Sequence, residues 1–485
     1  MASVRRSLAL SFFTRYIGLG VSFVVVVVLS RLLTPEEIGV FSVSAVVVAL
    51  VQTLRDFGIG TYVIQEKELT EARVRTASGV SLVLSWLIAI LLVLSSPIVA
   101  RFYNEPDMQG VLCVLAIGPL LIPFAAIAQA NLQRKMDFGL LTKVGIAGSL
   151  VQASTTLTLA YLGASYYSMA WGSAAGNVAT IAMLVLLRAE YVFVRPSLIE
   201  WRSVVRFGSI VSLTQIVTRL GMSAPDLVMG RMLGFGAVGY YSRGQGLINI
   251  FRQGVDQAVM PVAMSAFAKQ NREQQDIKLG YLRSVSMMTV IAWPFFGLLG
   301  LMALPVTRIL YGDQWDAAVP VTQLLCIAAA INALGSLSGS IFLSLGLIKQ
   351  RLFNETIIQT SRIIMIVIAA RYGIEAVAAT QIATYAIAIS LIQVQLMWAI
   401  ELSVFELIST VARSFFVTTT SLIVPVLVFL FSDFGAGSLW MPLLLACAGA
   451  AVGWLVAVVK TDHPITQEVF RACSALGLNS VWSRR

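Results

Sequence analysis

Charge is what this 485-residue chain has least of: Asp, Glu, Lys and Arg make up 12% of it, against roughly a quarter in ordinary soluble domains. It has one histidine, and its four cysteines (Cys113, Cys326, Cys447, Cys473) lie in or beside apolar runs without metal-ligand spacing. No metal centre and no disulfide framework are expected, and the cysteines read as small packing residues. No GxxxxGK[ST] loop occurs, which argues against nucleotide-driven work by this chain alone. The Gly-rich run 230–246 reads as close packing and hinge rather than a phosphate loop. Long polar connections are also missing; the longest lie near 188–203 and 267–280. No catalytic residues and no cofactor are expected, and tandem soluble domains are excluded.

What the chain does have is apolar surface. Hydrophobic residues make up 58% of it and its mean hydropathy is +0.85. Such a chain cannot cover itself with polar groups, so its surface faces lipid. A hydrocarbon core of ~30 Å takes roughly 20 apolar residues per helix. Apolar segments fall near 10–30, 38–57, 77–100, 109–132, 140–163, 166–187, 204–229 and 236–266. Six more follow near 281–304, 317–346, 353–370, 374–400, 411–432 and 438–459. The run Val24–Val28 has strand-like residues, but a lone strand in lipid leaves its backbone unpaired, so helix is expected. The first run is too long for a signal-peptide core and reads as a retained span. The fold class is therefore all-α integral membrane, with about fourteen transmembrane helices.

Basic residues orient these spans. With a cytoplasmic N-terminus and alternating loops, twenty-four of the 34 Lys and Arg fall on the cytoplasmic side, Arg134, Arg362 and Arg413 among them. Only Arg31, Arg101, Arg231, Arg308 and Arg371 fall opposite. A net charge of +10 spread over many loops sets topology and does not suggest nucleic acid. Both termini are expected in the cytoplasm, with His463 in a tail where no ligand or proton role is expected. The end of that tail, from Gln467 to Arg485, reads either as an interfacial amphipathic helix or as a frayed basic tail.

An internal repeat organises the chain. At an offset of 200, Arg31-Leu-Leu-Thr-Pro-Glu-Glu-Ile-Gly39 aligns with Arg231-Met-Leu-Gly-Phe-Gly-Ala-Val-Gly239. The same register puts Arg15 on Gln215, Gln52 on Arg252 and Asp56 on Asp256. Six spans separate the copies, so the halves share one orientation and are related by an axis along the membrane normal. The expected domains are a six-helix lobe over 1–195, a second over 196–403, two additional helices over 404–460 and a tail over 461–485.

The chain resembles the polysaccharide transporter branch of the MOP (MATE-like) flippase superfamily, which includes the Wzx-type lipid-linked oligosaccharide flippases. The resemblance rests on Ser30-Arg-Leu-Leu-Thr-Pro-Glu-Glu-Ile-Gly-Val-Phe41, on Asp56-Phe-Gly-Ile-Gly60 and on the segment Asp226 to Arg243. It covers nearly the whole chain in length, span number and duplication. It implies a V-shaped, two-lobe transporter with a central cavity lined by spans 1, 2, 7 and 8. It also implies isoprenoid-diphosphate-linked sugars, made on the cytoplasmic face, as substrates.

Ionisable residues within spans are costly and mark functional sites by default. Here they are Arg15, Arg55, Asp56, Arg219, Arg243, Arg252 and Asp256, with Asp226 near the outer end of span 7. The deep ones lie on the first two spans of a lobe, which the span assignment gives without the family. Gln215 and Arg219 share a helix face, as do Arg252 and Asp256 and the repeat partners Gln52 and Asp56. An intrahelical pair is the other reading of Arg252 and Asp256, and interfacial anchoring that of Arg15, Arg55 and Asp56. Arg243 is nine residues from Arg252, about half a turn away, and is expected to snorkel to the outer interface.

Guanidinium forks suit phosphate oxygens and stay charged. Arg15, Arg219 and Arg252, with Gln215 and Gln52, are therefore the expected binding residues for a diphosphate and its sugars. Asp56 and Asp256 are candidates for ion coupling, and Asp226 for packing or gating. The expected partners are the lipid-linked oligosaccharide, membrane lipid and a glycosyltransferase or polymerase complex, in a bacterial inner membrane. Three other readings stay open: a MATE-type cation or drug antiporter, which would want acids in its cavity; a lipid II-type flippase; and a non-transporting scaffold of a glycan synthase complex. The loop charges yield a direct test. Green fluorescent protein fused to the C-terminus should fluoresce and alkaline phosphatase fused there should be inactive; the opposite pair reverses the orientation.

Overall fold

The computed structural model describes residues 2–55, 59–66, 68–199, 201–273, 275–432, 434 and 438–466. Among them helix predominates and no strand occurs. The chain runs through α1 (Ala2–Leu32), α2 (Pro35–Arg55), α3 (Ile59–Gln65), α4 (Glu71–Tyr103), α5 (Asp107–Leu115) and α6 (Ile117–Arg134). There follow α7 (Phe138–Tyr161), α8 (Tyr167–Leu186), α9 (Trp201–Met232), α10 (Phe235–Phe251) and, after a π-helical turn at Arg252–Asp256, α11 (Gln257–Arg272). The rest comprises α12 (Ile277–Leu301), α13 (Ala303–Tyr311), α14 (Ala318–Ala333), α15 (Ser338–Ser344) and α16 (Ile348–Ala369). Last come α17 (Ile374–Ile400), α18 (Val404–Phe431) and α19 (Trp440–Lys460).

Each of the fourteen apolar segments is occupied by helix, the valine run of α1 included. Ten are long and apolar enough, as described, to cross a membrane. The other four are α1, α7, α9 and the α10–α11 run, whose described portions are shorter or more polar. Packing groups the chain into two compact units, 1–242 with 366–371 and 243–365 with 372–485.

In the first unit, the segment that carries the family resemblance is a helix start. The Thr34 Oγ1 accepts the Glu37 N–H at 3.3 Å, and the Glu37 carboxylate accepts the Thr34 N–H at 2.7 Å. Pro35 occupies the first helical position, where no backbone donor is needed. The two copies of the repeat then meet reciprocally. A Cβ on Gly39 would lie 1.9 Å from the Phe235 carbonyl oxygen, and one on Gly239 would lie 2.1 Å from that of Pro35. No other residue fits at either position without moving backbone. Below this crossing α2 packs along α9, and a buried cluster of Tyr62, Val63, Val74, Ala77 and Ile127 joins α3, α4 and α6. The Arg134 guanidinium at the end of α6 donates to the carbonyls of Val63, Ile64 and Glu66. It thereby satisfies the open C-terminus of the short α3.

In the second unit, Phe267, Tyr281, Val285, Ile341 and Leu396 form a core among α11, α12, α15 and α17. A capping box starts α18: the Ser403 N–H donates to Glu406 at 2.8 Å, and the Ser403 hydroxyl accepts in return. The pair α18–α19 packs on α12, and His463 pins its end. From sequence His463 belongs to a tail; in the structure it is 1% exposed. Its Nδ1 accepts the Ile465 N–H at 3.2 Å, so Nε2 carries the proton and donates to Ser286 Oγ at 2.9 Å. Thr289 donates to Ser414 Oγ at 2.9 Å and Ser414 to the Ser286 carbonyl at 3.2 Å, closing a buried polar knot. Residues 467–485 and Cys473 lie outside the described residues; Cys113, Cys326 and Cys447 are free thiols.

Burial, helped by the charge of Arg413, lowers the His463 pKa to about 4. The unfolded chain, with a pKa near 6.5, then binds the extra proton between roughly pH 4 and pH 6.5. Stability from this residue is therefore complete above that window and is lost as pH falls through it. The His463→Gln variant should lower the thermal midpoint at pH 7.5, by roughly 1–3 kcal/mol of lost buried hydrogen bonding. It should also flatten the midpoint's rise between pH 4.5 and 6.5. Thermal unfolding of purified protein across that range checks both.

Candidate functional site

Of the residues expected to meet the substrate, Gln52, Gln215, Arg219 and Asp226 lie in the first unit. Gln215 and Arg219 are exposed, one turn apart on α9, while Gln52 is half-buried on α2. No ion pair is made by Arg219 among the described residues. Asp226 is half-buried farther along α9, beside Leu227, whose carbonyl accepts the Tyr103 hydroxyl at 3.2 Å. The Tyr103 ring in turn lies 6.1 Å from that of Phe235. Asp226 thus sits where α9 is tied to the end of α4. Asp56 and the Arg15 side chain lie outside the described residues.

Arg252 and Asp256 lie in the second unit and bound its π-helical turn. A single π turn inserted in an α-helix leaves its backbone imperfectly bonded and commonly marks a functional position. The preceding Phe251 is buried against Phe295 and Phe296, with ring centroids 5.2 and 4.9 Å away, which holds the turn from one side. Within the turn, nothing approaches the Cβ position of Gly254. Arg252 is exposed and Asp256 half-buried. No direct salt bridge joins them among the described residues, but the two charges interact electrostatically across the turn.

Arg243 corrects its expectation. It does not snorkel: it is 7% exposed, its guanidinium 5.3 Å from the Trp315 ring centroid and 5.8 Å from that of Tyr311. Its Nε has no hydrogen-bond partner. The two ring faces supply the stabilisation a carboxylate would otherwise give. One sequence signal pointed this way, since the repeat partner of Arg243 is Val43, itself fully buried.

Arg362 is a second buried arginine. From sequence it counts among the cytoplasmic loop charges; in the structure it lies two-thirds of the way along α16, 4% exposed. It stands 5.5 Å from the Tyr385 ring centroid and donates to Gln359 at 3.0 Å. Gln359 passes the contact on, donating to Glu355 at 3.0 Å. Moving Arg362 out of the loops leaves the charge bias intact.

The arginines therefore divide by environment. Arg243 and Arg362 are occupied by aromatic and amide neighbours, whereas Arg219 and Arg252 present exposed guanidiniums, Arg252 within electrostatic reach of Asp256. A bare guanidinium on a membrane-spanning helix is tolerated where it faces water or an anionic ligand, not lipid. No cluster of His, Cys, Asp and Glu suited to a metal ion occurs among the described residues.

Known structures share this helical fold. The lipid II flippase MurJ in its inward closed conformation superposes over 94% of this chain and 99% of its own, with a TM-score of 0.71 at 14% identity. An inward-facing MATE multidrug transporter of the MOP superfamily superposes over 79% of this chain and 94% of its own, with a TM-score of 0.63 at 15% identity. In sequence, the lipopolysaccharide biosynthesis protein WzxC of Escherichia coli is 27% identical over 335 residues, 67% of each chain. Residues 28–320 match the model of the polysaccharide biosynthesis protein family, and the chain belongs to that family. Among the described residues ten helices are long and apolar enough to cross a membrane, and the fold is shared with MurJ and the MATE transporter.

The division of the arginines predicts opposite stability effects. Arg243→Ala should cost on the order of 2–4 kcal/mol, from lost ring contacts and the cavity left between Tyr311 and Trp315. Arg219→Ala, at an exposed position, should change stability by less than about 0.5 kcal/mol. Thermal midpoints of the two purified variants provide the comparison.

Proposed function

We propose that this chain translocates isoprenoid-diphosphate-linked oligosaccharide units from the cytoplasmic to the outer face of a bacterial inner membrane. Two six-helix lobes, over 1–195 and 196–403, alternate between inward- and outward-open states, and both termini stay in the cytoplasm. The observation that carries this reading is the pair of exposed guanidiniums, Arg219 and Arg252, on helices of a polysaccharide biosynthesis family protein. A diphosphate brought unpaired into low dielectric faces a cost of tens of kcal/mol in the Born limit. Fixed guanidinium forks offset that cost and bind phosphate oxygens in pairs.

In this reading Arg15, Arg219 and Arg252 hold the diphosphate, Gln215 and Gln52 hydrogen-bond the nearest sugar, and the isoprenoid stays in lipid. The half-buried Asp256 and its repeat partner Asp56 couple an ion to the cycle, and Asp226 gates at the tied end of α9. The glycosyltransferases and polymerase that make and consume the cargo are the partners. The double variant Arg219→Ala/Arg252→Ala should reduce polysaccharide export at least a hundredfold while the protein remains folded and in the membrane. Export at the wild-type level removes the site.

A further inference from the structure

The first unit contains a polar cavity that the arginine site does not use. It measures about 490 Å3 and lies among α3, α6 and α8. Gln129 and Gln133, one turn apart on α6, line it together with Asn177 and Thr180 on α8. The remaining wall is apolar, Ile64, Leu121, Ile122 and Ile181 with small residues between them. Among the described residues no charged side chain lines it. The Arg134 guanidinium, next in sequence to Gln133, is committed to the carbonyls at the end of α3.

Among the described residues none of the three carboxamides makes a hydrogen bond, whereas Thr180 donates to the Gly176 carbonyl at 2.9 Å. Both α6 and α8 belong to spans long and apolar enough to cross a membrane. Gln129 and Asn177 are half-buried and Gln133, beside the end of α6, is exposed, so their amides are open to water or to a ligand in the cavity. The lining also selects what that ligand is. Among the described lining residues a cation finds no carboxylate and a diphosphate no guanidinium. Each carboxamide offers both donors and an acceptor, which matches the hydroxyls of a neutral sugar, and the aliphatic wall matches the sugar's C–H faces. The volume lies within the roughly 300–1,000 Å3 of small-molecule sites.

We infer that this cavity is a sugar subsite, in which Gln129, Gln133 and Asn177 hydrogen-bond neutral sugar rings of the cargo. This rests on the proposed function, and in that orientation the cavity lies toward the cytoplasmic half, where the cargo is made. Diphosphate recognition and sugar recognition then belong to separate residues. The arginines are indifferent to the glycan, and the carboxamide cavity distinguishes one glycan from another.

The test measures binding to purified, full-length protein of two probes: an isoprenyl diphosphate bearing the complete oligosaccharide, and the same lipid without sugar. The Gln129→Met/Asn177→Leu variant should bind the sugar-bearing probe about 10–100-fold more weakly, from two lost hydrogen-bonding groups, and the sugar-free probe as wild type does. Ile181→Trp, which fills the cavity from its apolar wall, should give the same selective loss should the double variant fail to fold. Equal weakening of both probes, or of neither, overturns the subsite. A wild-type protein that binds neither probe overturns the substrate class itself, and the subsite with it.

Discussion

The turns that open α2 and α10 lie against each other with no room for a methyl group. Gly39 faces the carbonyl of Phe235, and Gly239 that of Pro35. The contact is reciprocal because the chain is duplicated: each glycine meets the first helical residue of the other copy. Such closeness leaves backbone itself as the packing surface, which fixes where both helices begin. From those origins α2 carries Gln52, and α10 runs on to Arg243 and the π turn at Arg252. A shift of either start by one residue would rotate these side chains by about 100°. Thr34, Pro35 and Glu37 secure the first start by capping.

In a chain with so little charge, the placement of each arginine is a physical decision. Guanidiniums at Arg243 and Arg362 are desolvated and lie against aromatic rings, so they contribute to packing and bind nothing else. Those at Arg219 and Arg252 are exposed. This distinction bears on the rival transport readings. The fold is common to MATE transporters and lipid flippases, so it does not choose between them. A cation antiporter needs carboxylates to exceed cations in its cavity, and the open groups here are the reverse.

Much of this was legible before any coordinates. Hydropathy located the long helices, because in lipid the backbone has no partner but its own helix, while the short α3 and α13 fall between the apolar runs. The repeat located the turn glycines, and span assignment singled out Arg219 and Arg252. Three features were not legible, each for a physical reason. The fate of Arg243 depends on Tyr311 and Trp315, some seventy residues on, which local spacing does not reveal. Arg362 looks like a loop charge because α16 begins with several polar residues that blur its start. His463 follows a helix end and looks like a tail until Ser286 and Ser414 enclose it. The carboxamide cavity went unmarked for a related reason: an uncharged Gln or Asn in an apolar run draws no notice until its missing partner is seen.

The central claim is that an anionic, lipid-linked glycan crosses the membrane through this chain. Its most direct measurement is the sidedness of the isoprenoid-linked oligosaccharide in cells deleted for the protein, read with a glycan-modifying enzyme that cannot cross the membrane. The account predicts that the lipid-linked intermediate accumulates and stays protected at the cytoplasmic face, and that the wild-type chain restores its exposure. Unaltered exposure of the intermediate at the outer face, with only dye or cation resistance changed, would contradict it.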